Sequence, residues 1–154
     1  MTILLGRGVL NFKLVEEQLA STDARVRANA IESTWRIQDV VPLLRTATSD
    51  PNNRVVGNAL LALYKLNDDG VAAAITEMAH HESEAFQITA LWVMGETEDA
   101  QFGDTLRSFA QTSTGKVRWM ALRSLGRLKR ASDSGKLRTP ESEAPGPREK
   151  GLAV

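Results

Sequence analysis

Apolar positions in residues 9–130 recur as two linked segments, repeated four times. Residues 25–37, 54–66, 85–97 and 116–128 superpose so that Val26, Val55, Phe86 and Val117 coincide, at spacings of 29, 31 and 31 residues. Four positions later stand Ala30, Ala59, Ala90 and Ala121, followed at once by Ile31, Leu60, Leu91 and Leu122. Eleven residues upstream of each aligned Val or Phe lie Val15, Leu44, Ile75 and Leu106. A fixed period of this length, carried by two apolar segments in constant register, marks a repeat architecture rather than one folded core.

Both segments have helical spacing. In the downstream ones, Val55, Ala59, Leu63 and Leu66, and likewise Val117, Ala121, Leu125 and Leu128, fall on one stripe of an α-helix. The central alanine lets another helix approach closely. Asp23, the run Asp50-Pro51-Asn52-Asn53 and Asp68-Asp69-Gly70 punctuate the helices, and Pro42 sits in a first turn, where its missing amide costs little. No run alternates with period two between hairpin turns. The predicted helices are 9–20, 24–37, 39–48, 53–66, 70–80, 84–97, 100–111 and 115–130, an all-α array. A pair of short amphipathic helices cannot bury its apolar face alone, so successive pairs stack into a solenoid. The units are 9–37, 39–66, 70–97 and 100–130. Residues 131–154, rich in Pro, Ser, Gly and charge, are predicted to be a disordered tail.

These residues resemble HEAT-like repeats, specifically the short bacterial, PBS-lyase type, whose second helix opens with Asp, two residues, Val-Arg and then a small residue three later. Asp23, Val26, Arg27 and Ala30 match fully; Val117, Arg118 and Ala121 match without the Asp, and the second and third units depart at the Arg, with Val56 and Gln87. The resemblance implies a right-handed α-α superhelix of about four helix pairs. It also implies a scaffold for protein binding, although the same fold is found in bilin lyases.

Composition narrows the chemistry. The chain of 154 residues has 19 basic and 19 acidic side chains and no cysteine. That removes disulfides, thiolate nucleophiles and Cys-ligated metals, and it suits a reducing cytoplasm. No apolar run approaches the ~18 residues of a spanning helix, and none near the start suffices for a signal-peptide core. The two histidines are the adjacent His80 and His81. The pair His81-Glu82 stands alone, whereas a di-iron site needs ligands converging from several helices, so it reads as a solvated turn. Neither a G-x-S-x-G elbow nor a phosphate-binding glycine motif occurs. The sequence therefore names no catalytic residue, cofactor or metal site.

Zero net charge conceals segregation. Residues 66–104 hold nine acidic side chains and no Lys or Arg, while 105–130 hold seven basic ones and no Asp or Glu. This pattern fits a charged partner surface, head-to-tail contact between copies or membership of a larger array, or simple attraction between neighbouring repeats. An acidic neighbour makes nucleic acid an unfavourable partner for the basic block. By the resemblance, second helices line a concave face. Positions two and six after the aligned residue then place Leu61, Ile88, Trp92 and Trp119 in an apolar strip rimmed by Glu32 and Arg123. Such anchors suit a protein partner, and contact between repeats is the alternative for the same residues. The reading is a non-catalytic adaptor, with a phycobilin-type lyase or its accessory subunit as the alternative.

Overall fold

Side chains that compete for backbone hydrogen bonds fix where the helices begin and end. The computed structural model describes residues 12–34 and 38–139, so the expectations for 9–11, 35–37 and 140–154 lie outside the described residues. Within them run α1 (Phe12–Leu19), α2 (Ala24–Glu32), α3 (Val41–Ala47), α4 (Asn53–Lys65), α5 (Val71–Ala79), α6 (Glu84–Thr97), α7 (Gly103–Thr112) and α8 (Gly115–Asp133). Short 3-10 turns, Gln38–Val40 and Ala100–Phe102, lead into α3 and α7. Asp23 caps α2 by accepting from the Arg25 amide at 2.8 Å, and Asn52 caps α4 through the Arg54 amide at 3.0 Å. α2 stops at Glu32 instead of continuing to 37. The Ser33 and Thr34 hydroxyls donate back to the carbonyls of Ala30 and Ile31, at 2.7 and 2.8 Å, and bring the chain into a turn.

The repeat register is the packing register. Val15, Leu44, Ile75 and Leu106 are all buried, as are Ala30, Ala59, Ala90 and Ala121. Ile31, Leu60 and Leu91 are buried too, but Leu122 is 51% exposed, and in the Val column Val26 is 37% exposed. Both exceptions fall in the end units of the array, where one neighbour is absent among the described residues. Second helices pack directly on one another, α2 on α4, α4 on α6 and α6 on α8, while no comparable contact joins α3 to α5 or α5 to α7. Rods crowded on one side and spread on the other curve the stack. The second helices therefore form its inner, concave wall. The result is a helical solenoid.

Ionic clasps join the units. Arg27 of α2 holds Asp50 with two donors, Nε at 2.7 Å and Nη2 at 2.9 Å, both side chains being largely covered. Arg45 and Asp68 make a similar but more exposed fork. Hydrogen bonding from Arg27 holds the Asp50 carboxyl below the usual carboxylate range. A depressed pKa contributes stability that is present above the unfolded-state pKa and is lost as pH falls through the folded one. Asp50→Asn is therefore expected to be less stable than the wild type at pH 7. In urea titrations that gap should narrow as the pH drops below about 4.

The C-terminal boundary differs from the expected one. Rather than giving way to a tail at 131, α8 runs to Asp133 and the chain turns at Gly135, with a φ of 69° that suits glycine. The amides of Lys136 and Leu137 both donate to the Ala131 carbonyl. Arg138 then forms an isolated parallel bridge with Asp99. Its amide donates to the Glu98 carbonyl and its carbonyl accepts from the Ala100 amide, each at 2.9 Å. Its guanidinium lies 5.2 Å from the Tyr64 ring centre and reaches Asn67 Oδ1 at 3.2 Å. Buried Asp99 accepts from the Tyr64 hydroxyl, from Gln101 Nε2 at 2.9 Å and from the Gln101 amide at 2.8 Å. This polar knot joins α4, the loop after α6 and the returning segment, so residues 131–139 belong to the folded array.

Burial, and then the Asp99 carboxylate, raise the Tyr64 hydroxyl pKa well above the ordinary phenol value. The stability this gives is fully present below the unfolded value of about 10 and is lost as pH rises through the folded one. Tyr64→Phe should cost about 1.5 kcal/mol at neutral pH, the worth of a hydrogen bond to a charged group. It should also flatten the alkaline loss of stability above pH ~10, a difference that chemical denaturation at the two pH values reads directly.

Candidate functional site

Polar rungs between second helices floor a depression on the concave wall. Asn58, buried in α4, donates to the Ala28 carbonyl at 3.2 Å and to Glu32 Oε1 at 3.1 Å, which ties α2 to α4. Asn53 Nδ2 donates to Thr89 Oγ1 at 2.6 Å and to the Ala85 carbonyl at 3.2 Å, which ties α4 to α6. Gly57 permits that approach, because a Cβ there would stand 2.3 Å from Thr89 Cγ2. The depression, about 250 Å³, is lined by Glu32, Arg54, Asn58, Ile88, Thr89, Trp92 and Met120, and so draws on α2, α4, α6 and α8. Ile88, Trp92 and Met120 are half-buried and make its apolar wall. Exposed Arg54 brings a positive charge, and no carboxylate among the described residues pairs with it.

Of the six residues expected to form the strip, Glu32, Ile88 and Trp92 come together here. Leu61 does not belong to it. It is fully buried, because residues 55–64 of α4 are covered on every side by α2, α3, α5 and α6. Trp119 and Arg123 lie outside the depression; the guanidinium sits 5.3 Å from the indole centre, and Trp119 is 57% exposed. On α8 the lining residue is Met120, one position further on. Asn58, Thr89 and Met120 all stand three positions after the aligned Val or Phe, and that column, opened by Asn29, is the sequence signal that would have located the groove and that the offsets of two and six missed.

The histidines have local duties. His81 Nδ1 accepts from the Ser83 amide at 2.9 Å and its ring stacks on Phe86 at 4.3 Å, while His80 Nδ1 is 3.0 Å from the Thr76 carbonyl. Among the described residues no group of three or more His, Cys, Asp or Glu is placed to hold a metal ion. The charge segregation is partly consumed inside the molecule. Arg127 of the basic block bonds Glu96 of the acidic one at 2.8 Å and lies 3.9 Å from Glu98.

The family described as HEAT repeats matches residues 12–86, from the start of α1 into α6. The chain is a HEAT-like repeat protein. The matched segment holds the first two units of the array and the opening of the third, and the same register continues through α8. No curated protein and no solved structure matches the chain. HEAT repeats generally serve as scaffolds for protein interaction. No helix among the described residues of this HEAT-like array is long and apolar enough to cross a membrane.

Proposed function

We propose that the protein is a non-catalytic adaptor whose concave groove holds a segment of a partner protein. The observation that carries this reading is the convergence of four consecutive second helices on one depression, with an apolar wall at Ile88, Trp92 and Met120, amide and hydroxyl groups at Asn58 and Thr89, and opposite charges at Glu32 and Arg54. That mixture suits a polypeptide, which offers apolar side chains beside amides and charges, and a half-buried Trp is a usual anchor at such surfaces. The space fits about one or two side chains, at the lower limit of small-molecule pockets. A single arginine in the groove argues for protein over nucleic acid, whose backbone calls for several cations along a track.

Affinity capture by the full chain, quantified by mass spectrometry, tests the reading. A protein retained by the wild type should fall at least ~10-fold in recovery with Arg54→Glu and with Trp92→Ala, the loss expected for central anchors. Circular dichroism should show both variants helical; Arg54 is exposed, so its change leaves the fold intact. Equal recovery by wild type and both variants would remove the groove from the account. Transfer of a bilin to an acceptor protein in reconstitution would replace the adaptor by a lyase.

A further inference from the structure

α8 repeats a helix-receiving surface that nothing in the described structure covers. Trp119, Leu122 and Gly126, spaced by three and four residues, share one stripe of the helix, and the first two are 57% and 51% exposed. In the repeat register they correspond to Ile88, Leu91 and Gly95 of α6. On α6 that stripe receives α8: Leu91 is fully buried, its carbonyl accepts from Ser124 Oγ at 2.8 Å, and a Cβ on Gly95 would stand 2.6 to 3.1 Å from Ser124 atoms. At Gly126 a Cβ would meet only Arg130 Nη1, at 3.5 Å. The same large, large, glycine pattern that admits a helix on α6 is thus open on α8.

Charge identifies the guest. On α6 the receiving helix carries Glu96, and the incoming helix supplies Arg127. On α8 the sign is reversed, for Arg118, Arg123, Lys129 and Arg130 surround the stripe and no carboxylate among the described residues pairs with them. Asp133, at the helix end, is the one acidic residue of α8. We infer that this face docks an acidic amphipathic helix of a partner protein, seated across Gly126 as α8 is seated across Gly95. A second copy of the chain is a less complementary guest, because α2, the helix it would bring to α8 in head-to-tail stacking, carries Arg25 and Arg27 against Glu32. This surface is separate from the concave groove, and the inference does not depend on the function proposed for it.

The probe is a 19-residue peptide of the α8 sequence carrying Arg118→Glu, Arg123→Glu, Arg127→Glu, Lys129→Glu and Arg130→Glu, which keeps Ser124 and the apolar residues of the edge that α8 lays on α6 and reverses the charge of Arg127. Fluorescence anisotropy with the full chain should show it binding at least ~10-fold more tightly than the unaltered peptide, with an affinity that falls as salt rises. Gly126→Leu, which fills the crossing point while leaving the interior untouched, should weaken binding at least ~10-fold, whereas Arg54→Glu in the groove should leave the peptide affinity unchanged. Circular dichroism and a melting curve establish that the Gly126 variant is folded. Absence of binding, equal binding of both peptides, or indifference to Gly126→Leu would overturn the inference. So would a wild-type dimer that Gly126→Leu dissociates in sedimentation, which gives the face to a second copy, or capture by phosphatidylserine vesicles with no peptide binding, which gives it to a membrane.

Discussion

Leu61→Ala is expected to lower the unfolding free energy by about 2–5 kcal/mol, the range for truncating a large side chain in a close-packed interior. Leu61 is fully buried in α4, the helix enclosed by neighbours on both sides. The removed atoms leave a void that the adjoining helices cannot close without breaking the Asn58 and Asn53 rungs that set their spacing. Denaturant titration by circular dichroism reads the loss as a lower midpoint with an unchanged slope. The same truncation at Leu122, which occupies the exposed stripe, should stay within about 0.5 kcal/mol of the wild type, the usual limit for surface positions.

Gly95→Leu is expected to be nearly as damaging, at about 3 kcal/mol, because the crossing of α6 and α8 has no room for a side chain. Even a bare Cβ at this position lies 3.1 Å from the Ser124 Cα, so relief requires the backbone of α8 to move rather than a flexible tip to swing aside. Displacing α8 also stretches the Ser124 bond to the Leu91 carbonyl and the Arg127 bridge to Glu96. Gly126→Leu is the matched control. It sits in the equivalent place one repeat later, where a Cβ would meet only the flexible end of Arg130 at ordinary contact distance, and should stabilise α8 by about 0.5–1 kcal/mol through helix propensity alone. Opposite signs at two glycines related by the repeat would show that packing, rather than the residue type, decides the outcome.

These contrasts show what the sequence makes legible. The spacing that aligns Val55 with Val117 and Leu44 with Leu106 is the spacing of the core, because each repeat buries the same face against the next. Helix ends were legible where a side chain caps the backbone, as at Asp23 and Asn52, and misplaced where Ser33 and Thr34 turn back on α2, since hydroxyls are equally at home inside or outside a helix. The segment 131–139 was misread because what orders it is distant in sequence. Arg138 meets Glu98, Ala100, Tyr64 and Asn67, none of which any local pattern connects to it.

The groove was half legible for a related reason. Residues two and six positions after the aligned Val or Phe do line it on α6, as Ile88 and Trp92, but the same offsets give buried Leu61 on α4 and solvent-facing Trp119 and Arg123 on α8. An offset within a repeat has one environment only while the repeat has the same neighbours. α4 lies between α2 and α6, whereas α8 has α6 on one flank and no successor among the described residues. The column of Asn58, Thr89 and Met120 stays in the groove across three helices because it lies where successive second helices meet, on the inner side of the curve.

The stacking of second helices underlies both proposed surfaces, and proton–proton distances at the glycine crossings test it most directly. In a nuclear Overhauser spectrum of the full chain, the α-protons of Gly57 should show strong contacts to the Thr89 methyl, and those of Gly95 to the β-protons of Ser124. The absence of both sets of contacts in a folded helical sample, with Gly57 instead contacting residues of α8, would mean a bundle around one shared centre and would contradict the account.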